Sequence, residues 1–424
     1  MKSIVVFGAG KSATCLIDYL TRICTQNQWN LTIADSNAEA LKEKLVKSPV
    51  VHPVQVHVEN APERIALIQT ADLVISLLPP ALHIQIARDC VAHSKNLLTA
   101  SYVDDEIRQL ASRLTEKKLF FLCEMGLDPG IDHMSAMQII HRIQASGGKI
   151  TVFRSHTGGL VAPESDDNPW HYKISWNPAN VVKAGSAGAL FKEAGQIRKI
   201  EYKNLFENTG LVEIRPFGNF AWYPNRDSLA YIPVYGLESA HSFIRTTLRH
   251  PDFCKGWKNL VSAGLTDDAL PIASKIKTIA VWSKPLLPYV DSFNQKLYDQ
   301  LGLFEEVPLP PGTLTSAKIL QVLLEKNWQM KAMDKDMILM LHEFEYVLHG
   351  RKHFLRSQLV VKGENALRTA MARTVGLPLG IAARLVLENK ISLTGLHIPI
   401  VPEIYEPVLQ ELAWEGIRFE EEIS

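Results

Sequence analysis

The 424 residues carry 45 Lys+Arg against 45 Asp+Glu, so no net field draws the chain toward nucleic acid or an anionic membrane surface. That length exceeds one hydrophobic core and predicts about two or three domains. A composition of 46% apolar and 21% charged residues excludes wholesale disorder. Five widely spaced cysteines, Cys15, Cys24, Cys90, Cys123 and Cys254, form no Cys-x-x-Cys pair. They point to reduced thiols, a cytoplasmic setting, and neither a disulfide framework nor a metal site. No uninterrupted apolar run approaches ~18 residues, so no membrane span is expected.

Residues 1–125 alternate short apolar runs with amphipathic stretches. Strands are predicted over 4–7, 31–34, 73–77, 96–99 and 120–122, with helices opening near Ser12, Ala38, Ala81 and Asp104. That alternation implies parallel βαβ units with helices on both faces. From about 148 the texture changes. Strands are predicted over 149–155, 199–202, 212–214 and 230–234, joined by loops rich in Gly, Pro, Asn and Trp. Residues 240–332 read as mostly helical, with turn signals at Pro285-Leu286-Leu287-Pro288 and over 308–312. Two strands follow, 336–348, whose pattern also fits an amphipathic helix, and 353–362, then helices over 364–388 and 403–415. The late return of helices predicts a discontinuous layout: a dinucleotide-binding domain of 1–125 completed by 375–424, a substrate-binding α/β domain of 126–245 with 333–374, and a helical domain of 246–332.

Gly8-Ala9-Gly10-Lys11-Ser12-Ala13 follows a strand and opens a helix. Gly8 permits a tight turn, Gly10 lets the backbone approach a pyrophosphate, and Ala13 allows close helix–strand packing. The helix N-terminus, with Lys11 and Ser12, offers N–H groups to the phosphates. Asp35 ends the second strand, about 20 residues on, where a carboxylate accepts hydrogen bonds from the ribose hydroxyls of NAD and repels the 2′-phosphate of NADP. NAD is therefore expected over NADP. Asp35 can equally cap the helix that follows, and Ser36 lies beside it. Leu77, Leu78 and Pro79 leave the strand over 73–77 where such sheets bind ligand at strand carboxyl ends. Ser101, after the 96–99 strand, is a further cofactor candidate.

Glu124-Met125-Gly126-Leu127-Asp128-Pro129-Gly130-Ile131-Asp132-His133 places carboxylates and a histidine between a strand end and a helix. Asp132 is read as a cap of that helix; Asp128, on the loop before a proline, is harder to explain structurally. This segment, together with Ser155-His156-Thr157-Gly158-Gly159-Leu160-Val161-Ala162-Pro163-Glu164, Tyr172-Lys173-Ile174-Ser175-Trp176, Tyr223-Pro224-Asn225-Arg226-Asp227-Ser228 and Arg245-Thr246-Thr247-Leu248-Arg249, resembles in order the motifs of the glutamate-forming saccharopine dehydrogenase family. The match runs through nearly the whole chain.

The resemblance implies a variant Rossmann domain with a discontinuous α/β (α+β) substrate-binding and dimerisation domain, a small helical domain, and a homodimer. It implies oxidative splitting of saccharopine to glutamate and 2-aminoadipate 6-semialdehyde, with hydride passing to the nicotinamide and an imine then hydrolysed. Such chemistry needs groups that take and return protons, and the matching positions are Asp128 and Tyr102. Three substrate carboxylates call for cations. Arg226 and Arg245 fit, since a guanidinium pairs bidentately with a carboxylate. Lys173 and Ser175 are further candidates, and Gly158-Gly159 would let backbone N–H groups approach the ligand. Thr157 stands where some relatives carry Cys, Val161 replaces a usual proline, and Asp35 departs from the arginine-type NADP pocket of fungal relatives. Other imine-handling members of the superfamily, such as carboxynorspermidine dehydrogenase and homospermidine synthase, are alternatives. So is a non-catalytic NAD-binding protein.

Overall fold

The computed structural model describes residues 1–44, 48–207, 209–287, 290–312 and 315–424. Pro288, the end of the first expected turn, lies outside them. The chain divides into two compact units: residues 1–142 with 367–418, and residues 143–366 with 419–424.

Unit one is built on short apolar strands: β1 (Ser3–Phe7), β2 (Asn30–Asp35), β3 (Val51–Gln55), β4 (Leu73–Ser76), β5 (Asn96–Thr99) and β6 (Phe120–Leu122). With Gly395–His397 they form a seven-stranded sheet in the order Gly395–His397, β6, β5, β4, β1, β2, β3, parallel throughout. Ile4, Val5, Val6 and Phe7 are all at most 1% exposed, which is why β1 reads as an unbroken apolar run; both faces of a parallel sheet are covered. The chain switches direction between β1 and β4, the point at which sheets of this kind bind ligand outside the strand carboxyl ends. Strand β3 was not expected. It is an edge strand with Pro53 in it and mostly exposed side chains, so it carries neither alternation nor β-propensity.

The Ala370–Leu387 helix bears on the expectation that no segment spans a membrane. It is long and apolar enough to cross a membrane by length and composition, yet 72% of it is buried. It packs on α1 (Thr14–Asn27). A Cβ on Gly376 would come within 2.7 Å of the Leu16 backbone nitrogen, and one on Gly380 within 2.7 Å of Tyr19. The two glycines let these helices approach closely, so the apolar surface serves a core.

Unit two holds a mixed ten-stranded sheet whose main path runs β10, β11, β13, β7, β14, β15 and finally Phe419–Ile423. The ranges are β7 (Lys149–Val161), β8 (Ala189–Glu193), β9 (Gln196–Ile200), β10 (Gly210–Ile214), β11 (Gly218–Pro224), β12 (Arg226–Asp227), β13 (Ser242–Arg249), β14 (Asp336–Leu348) and β15 (Arg351–Lys362). The expected strand over 230–234 is instead a 3-10 turn (Leu229–Tyr231) and a helical turn (Ile232–Tyr235). Pro233 suits a helix start, and Gly236 ends it in the left-handed region at φ 64°. Strand β13 falls where helix was expected. It is buried on both faces and so lacks the alternation that marks a half-exposed strand. The helices Pro251–Ser262, Ser292–Gln300 and Ser316–Asn327 lie in the stretch expected as a helical domain. They share one apolar core with Trp170, Tyr172, Phe191 and Tyr223 of unit two. All five cysteines are free and buried.

Candidate active site

The glycine loop leaves β1 as a 3-10 turn (Lys11–Ala13) before α1 begins at Thr14, slightly later than the expected start near Ser12. Gly8 has φ 106°, and a Cβ there would meet the Leu77 backbone at 2.9 Å. No other residue fits without moving the β4 end, where the Leu77 N–H donates to the Phe7 carbonyl at 2.8 Å. Gly10 differs: nothing of the protein lies within 4 Å of a Cβ built on it. Its missing side chain thus leaves open space, as a bound pyrophosphate requires. The loop fits a dinucleotide.

Asp35 braces this loop. One carboxylate oxygen accepts the Ala9 N–H at 2.6 Å and the other accepts the Asn37 N–H at 2.8 Å. Capping of the next helix falls to Asn37, whose side chain accepts the Glu39 N–H at 2.9 Å. Lys44 donates to the Ala9 carbonyl at 2.6 Å and also to that of Gly10. Ser36 accepts a hydrogen bond from Gln55 through its carbonyl. Pro79 stands at the N-cap of the Pro80–Ala92 helix, and Leu78 beside it packs on the unit-one core.

Next to this loop lies a network that the sequence did not reveal. His83, on the Pro80–Ala92 helix, is 4% exposed. Its Nδ1 lies 2.7 Å from the Ser76 hydroxyl and its Nε2 2.7 Å from the Ser101 hydroxyl. Burial lowers its pKa to about 4, against a smaller opposing pull from Asp104. The ring is therefore neutral near pH 7 and bridges the two serines as donor to one and acceptor from the other. It links the end of β4 to the loop after β5.

That loop carries Tyr102, whose hydroxyl donates to Asp128 Oδ1 at 3.1 Å. Both residues are half-buried. Two backbone bonds hold their loops together: the Glu124 N–H donates to the Ser101 carbonyl at 2.9 Å and the Met125 N–H to the Thr99 carbonyl at 3.1 Å. Glu124, 3% exposed, adds a third tie. Its Oε1 accepts the Val103 N–H at 3.1 Å, and its Oε2 lies 2.8 Å from His133 Nε2. The acid and histidine noted in the sequence thus clamp the tyrosine loop to the aspartate loop. The latter is tightly folded: a Cβ on Gly130, at φ 147°, would sit 2.1 Å from the Gly126 carbonyl oxygen. Asp132 accepts the Gly130 N–H at 2.6 Å, bracing the loop from inside the first turn of the Ile131–Ala145 helix.

In unit two, Arg226 and Arg245 share a corner. The Asn225 N–H donates to the Arg245 carbonyl at 2.8 Å, and the Arg245 N–H to the Ser228 hydroxyl at 3.0 Å. Arg226 is exposed, with φ 53°. The Arg245 guanidinium is buried and lies over the Tyr231 ring at 4.4 Å. Lys173 is placed otherwise. Its buried ammonium pairs with Asp334 at 2.6 Å and with Asp167 at 2.9 Å. Ser175 is buried beside the bridge between Ile174 and Gln329. Gly158 and Gly159 lie within β7, which runs on to Val161 beyond the expected end at residue 155, opposite Leu339 and Ile338 of β14. A Cβ on Gly158 would meet Leu248 at 2.7 Å, so this glycine lets β13 close on β7. Arg249, last in its quoted motif, lies over Tyr172 at 5.2 Å and Phe253 at 5.5 Å.

Two family profiles divide the chain between them. The saccharopine dehydrogenase NADP binding domain matches residues 4–122, and the saccharopine dehydrogenase C-terminal domain matches 126–417. Alpha-aminoadipic semialdehyde synthase of Bos taurus, a mitochondrial protein by name, is 32% identical over 99% of this chain, which covers 47% of it. The chain thus spans about half the length of the synthases it matches. The saccharopine dehydrogenase [NADP(+), L-glutamate-forming] of Schizosaccharomyces pombe is 32% identical and is matched over 99% of its length. The apo structure of saccharopine dehydrogenase (L-Glu forming) from Saccharomyces cerevisiae superposes with a TM-score of 0.90 at 29% identity, covering both chains completely. The sequence motifs, the parallel sheet with its glycine loop, and these matches give one result: the chain belongs to the saccharopine dehydrogenase family.

Proposed function

We propose that this chain splits saccharopine oxidatively into glutamate and 2-aminoadipate 6-semialdehyde, and runs the reverse reaction, as a homodimer. The observation that carries this reading is the hydrogen bond from Tyr102 to Asp128 where the loops after β5 and β6 meet, in a chain matched end to end by L-glutamate-forming relatives. A bound nicotinamide supplies the hydride acceptor. The protein handles protons. Asp128 accepts one from the substrate's secondary amine, and Tyr102 fixes the carboxylate by holding one of its oxygens. The same pair then exchanges protons with water and the carbinolamine during hydrolysis. Arg226 and Arg245 bind substrate carboxylates through paired N–H donors.

Gly8, Gly10 and the Lys11–Ala13 turn hold the pyrophosphate, and Asp35 faces the adenosine ribose. We propose NAD as the preferred dinucleotide. The fungal relatives carry NADP(+) in their names; the preference here rests on the fixed carboxylate of Asp35, which a 2′-phosphate would meet at close range. Steady-state assay of the purified chain with saccharopine, at mildly alkaline pH, tests both statements. The expected result is an absorbance rise at 340 nm with stoichiometric glutamate, and a higher kcat/KM with NAD. Absence of turnover with either dinucleotide overturns the activity. A preference for NADP that Asp35→Ala leaves unchanged overturns the role of Asp35 alone.

A further inference from the structure

His83 stands behind the tyrosine–aspartate pair, and its partners fix the direction of each of its hydrogen bonds. Ser76 closes β4 and Ser101 follows β5, two strands that are neighbours in the sheet. Sheets of this kind bind ligand outside such strand carboxyl ends. The His83 ring lies between the serines, 2.7 Å from each hydroxyl. Ser76 and His83 are buried, whereas Ser101 and its neighbour Tyr102 are half-buried and reached by solvent. The main chain of Ser101 is already engaged: its N–H donates to the Thr99 hydroxyl at 3.2 Å, and its carbonyl accepts the Glu124 N–H at 2.9 Å. The hydroxyl is what this residue can offer a ligand.

A buried hydroxyl hydrogen needs an acceptor. Among the described residues, the Ser76 hydroxyl has one partner, His83 Nδ1. Ser76 therefore donates, and Nδ1 carries the lone pair. Burial keeps the ring neutral near pH 7, so its single hydrogen lies on Nε2 and is donated to Ser101 Oγ. Ser101, having accepted there, keeps its own hydrogen, and it is the serine of the two that solvent reaches. The opposite tautomer would strand the Ser76 hydrogen in the interior and draw the Ser101 hydrogen inward onto Nε2.

We propose that His83 is a positioning residue: through the Nε2–H tautomer that Ser76 imposes, it turns the Ser101 hydroxyl outward as a hydrogen-bond donor to an acceptor oxygen of the bound ligand, beside Tyr102 and Asp128. The reaction proposed above brings two such oxygens to its centre, the carboxamide of the nicotinamide and a carboxylate of saccharopine, and the same donor serves either. The inference rests on that reading for the identity of the ligand; the tautomer follows from the three side chains alone. His83 touches no ligand in this role. It acts by deciding which way a serine hydrogen points, so the dinucleotide strand end and the tyrosine loop are linked by an oriented chain of hydrogen bonds, Ser76 to His83 to Ser101.

The tautomer is read from long-range ¹H–¹⁵N spectra of the full chain labelled at histidine, with no ligand added. His83 is the ring whose nitrogen signals move in both Ser76→Ala and Ser101→Ala. A protonated Nε2 and a bare Nδ1 are expected; a protonated Nδ1 overturns the proposal. Binding reads the consequence. Ser101→Ala weakens the ligand that holds the acceptor about three- to tenfold. A loss in fluorescence titration with NADH alone identifies the carboxamide, and a raised KM for saccharopine at saturating dinucleotide identifies the carboxylate. His83→Phe weakens the same ligand and adds nothing in the double variant with Ser101→Ala, whereas a merely structural role adds independently. His83→Gln, which keeps an N–H at the ε position, recovers affinity that His83→Phe loses. Unchanged affinity for both ligands in Ser101→Ala overturns the proposal, as do additive losses in the cycle. The tautomer and Ser101→Ala decide the matter if His83→Phe fails to fold. Absence of saccharopine turnover, with the tautomer and the NADH cycle as expected, overturns the reaction and leaves the positioning role standing.

Discussion

Replacing Lys173 by Met separates two roles that the sequence left open. If Lys173 bound a substrate carboxylate, the change would raise the KM for saccharopine and barely touch stability. The structure points the other way. The ammonium is 2.6 Å from Asp334 and 2.9 Å from Asp167, with the lysine side chain 4% exposed and that of Asp334 12%. Lys173→Met leaves Asp334 buried with only the Lys331 N–H, at 2.7 Å, from the pairing it had. Breaking a buried pair by removing one partner costs about 3–5 kcal/mol. Asp167 adds little, because it is 42% exposed and keeps Lys331 at 2.6 Å. For a unit of this size that is a fall of about 6–20 °C in the unfolding transition. Lys173→Met with Asp334→Asn removes the stranded charge and recovers at least about 2 kcal/mol. Differential scanning calorimetry reads both variants, and saccharopine kinetics are run beside it. A fall of less than about 2 °C in Lys173→Met, joined to a KM raised more than about tenfold, would refute the reasoning and make Lys173 a ligand group.

Other expectations follow from single positions. Gly10→Ala finds open space and an ordinary backbone (φ −64°), so thermal stability is unchanged while dinucleotide affinity falls about tenfold or more; Gly8→Ala, strained by its positive φ and the Leu77 backbone, destabilises the fold instead. Asp128→Asn lowers turnover by roughly 10²-fold or more with little change in dinucleotide affinity, and unchanged turnover would remove Asp128 from the chemistry. His83, with its pKa lowered to about 4 against an ordinary value of 6.5, contributes stability that is whole above pH 6.5 and is lost as pH falls toward 4. The wild type should therefore lose about 3 kcal/mol more than His83→Gln between pH 7 and 4, measured by denaturant titration at each pH; equal losses would mean that His83 takes up its proton in the folded chain as readily as in the unfolded one.

What the sequence discloses is what lies close together along it. The glycine loop and the Glu124–His133 segment each hold their chemistry within about ten residues, and both could be read directly. Strand β1 was legible because a doubly covered parallel strand is apolar throughout. Strand β13, also covered on both faces, was lost among helices, because a short apolar run does not reveal its own period. Strand β3 was lost for the opposite reason, as an exposed edge with a proline and no pattern.

The site shows the same division at the level of single side chains. Tyr102 and Asp128 were assigned by family likeness, and the hydrogen bond between them is a fact of the fold. The residues that fix their loops were not assigned by likeness or by spacing. His83 joins Ser76 to Ser101 from a helix between two strands, and Glu124 reaches both Val103 and His133. Each is a buried polar group that reaches the end of a neighbouring strand, β4 beside β5 for His83 and β5 beside β6 for Glu124, and no spacing along the chain marks such a pairing. Lys173 poses the converse case. A lysine inside a recognised motif invites a carboxylate ligand, but the two carboxylates it meets, Asp167 and Asp334, are the chain's own, and one of them lies 161 residues away. A motif states which residues recur together; whether a charge in it faces a ligand or the interior depends on partners that lie outside the motif.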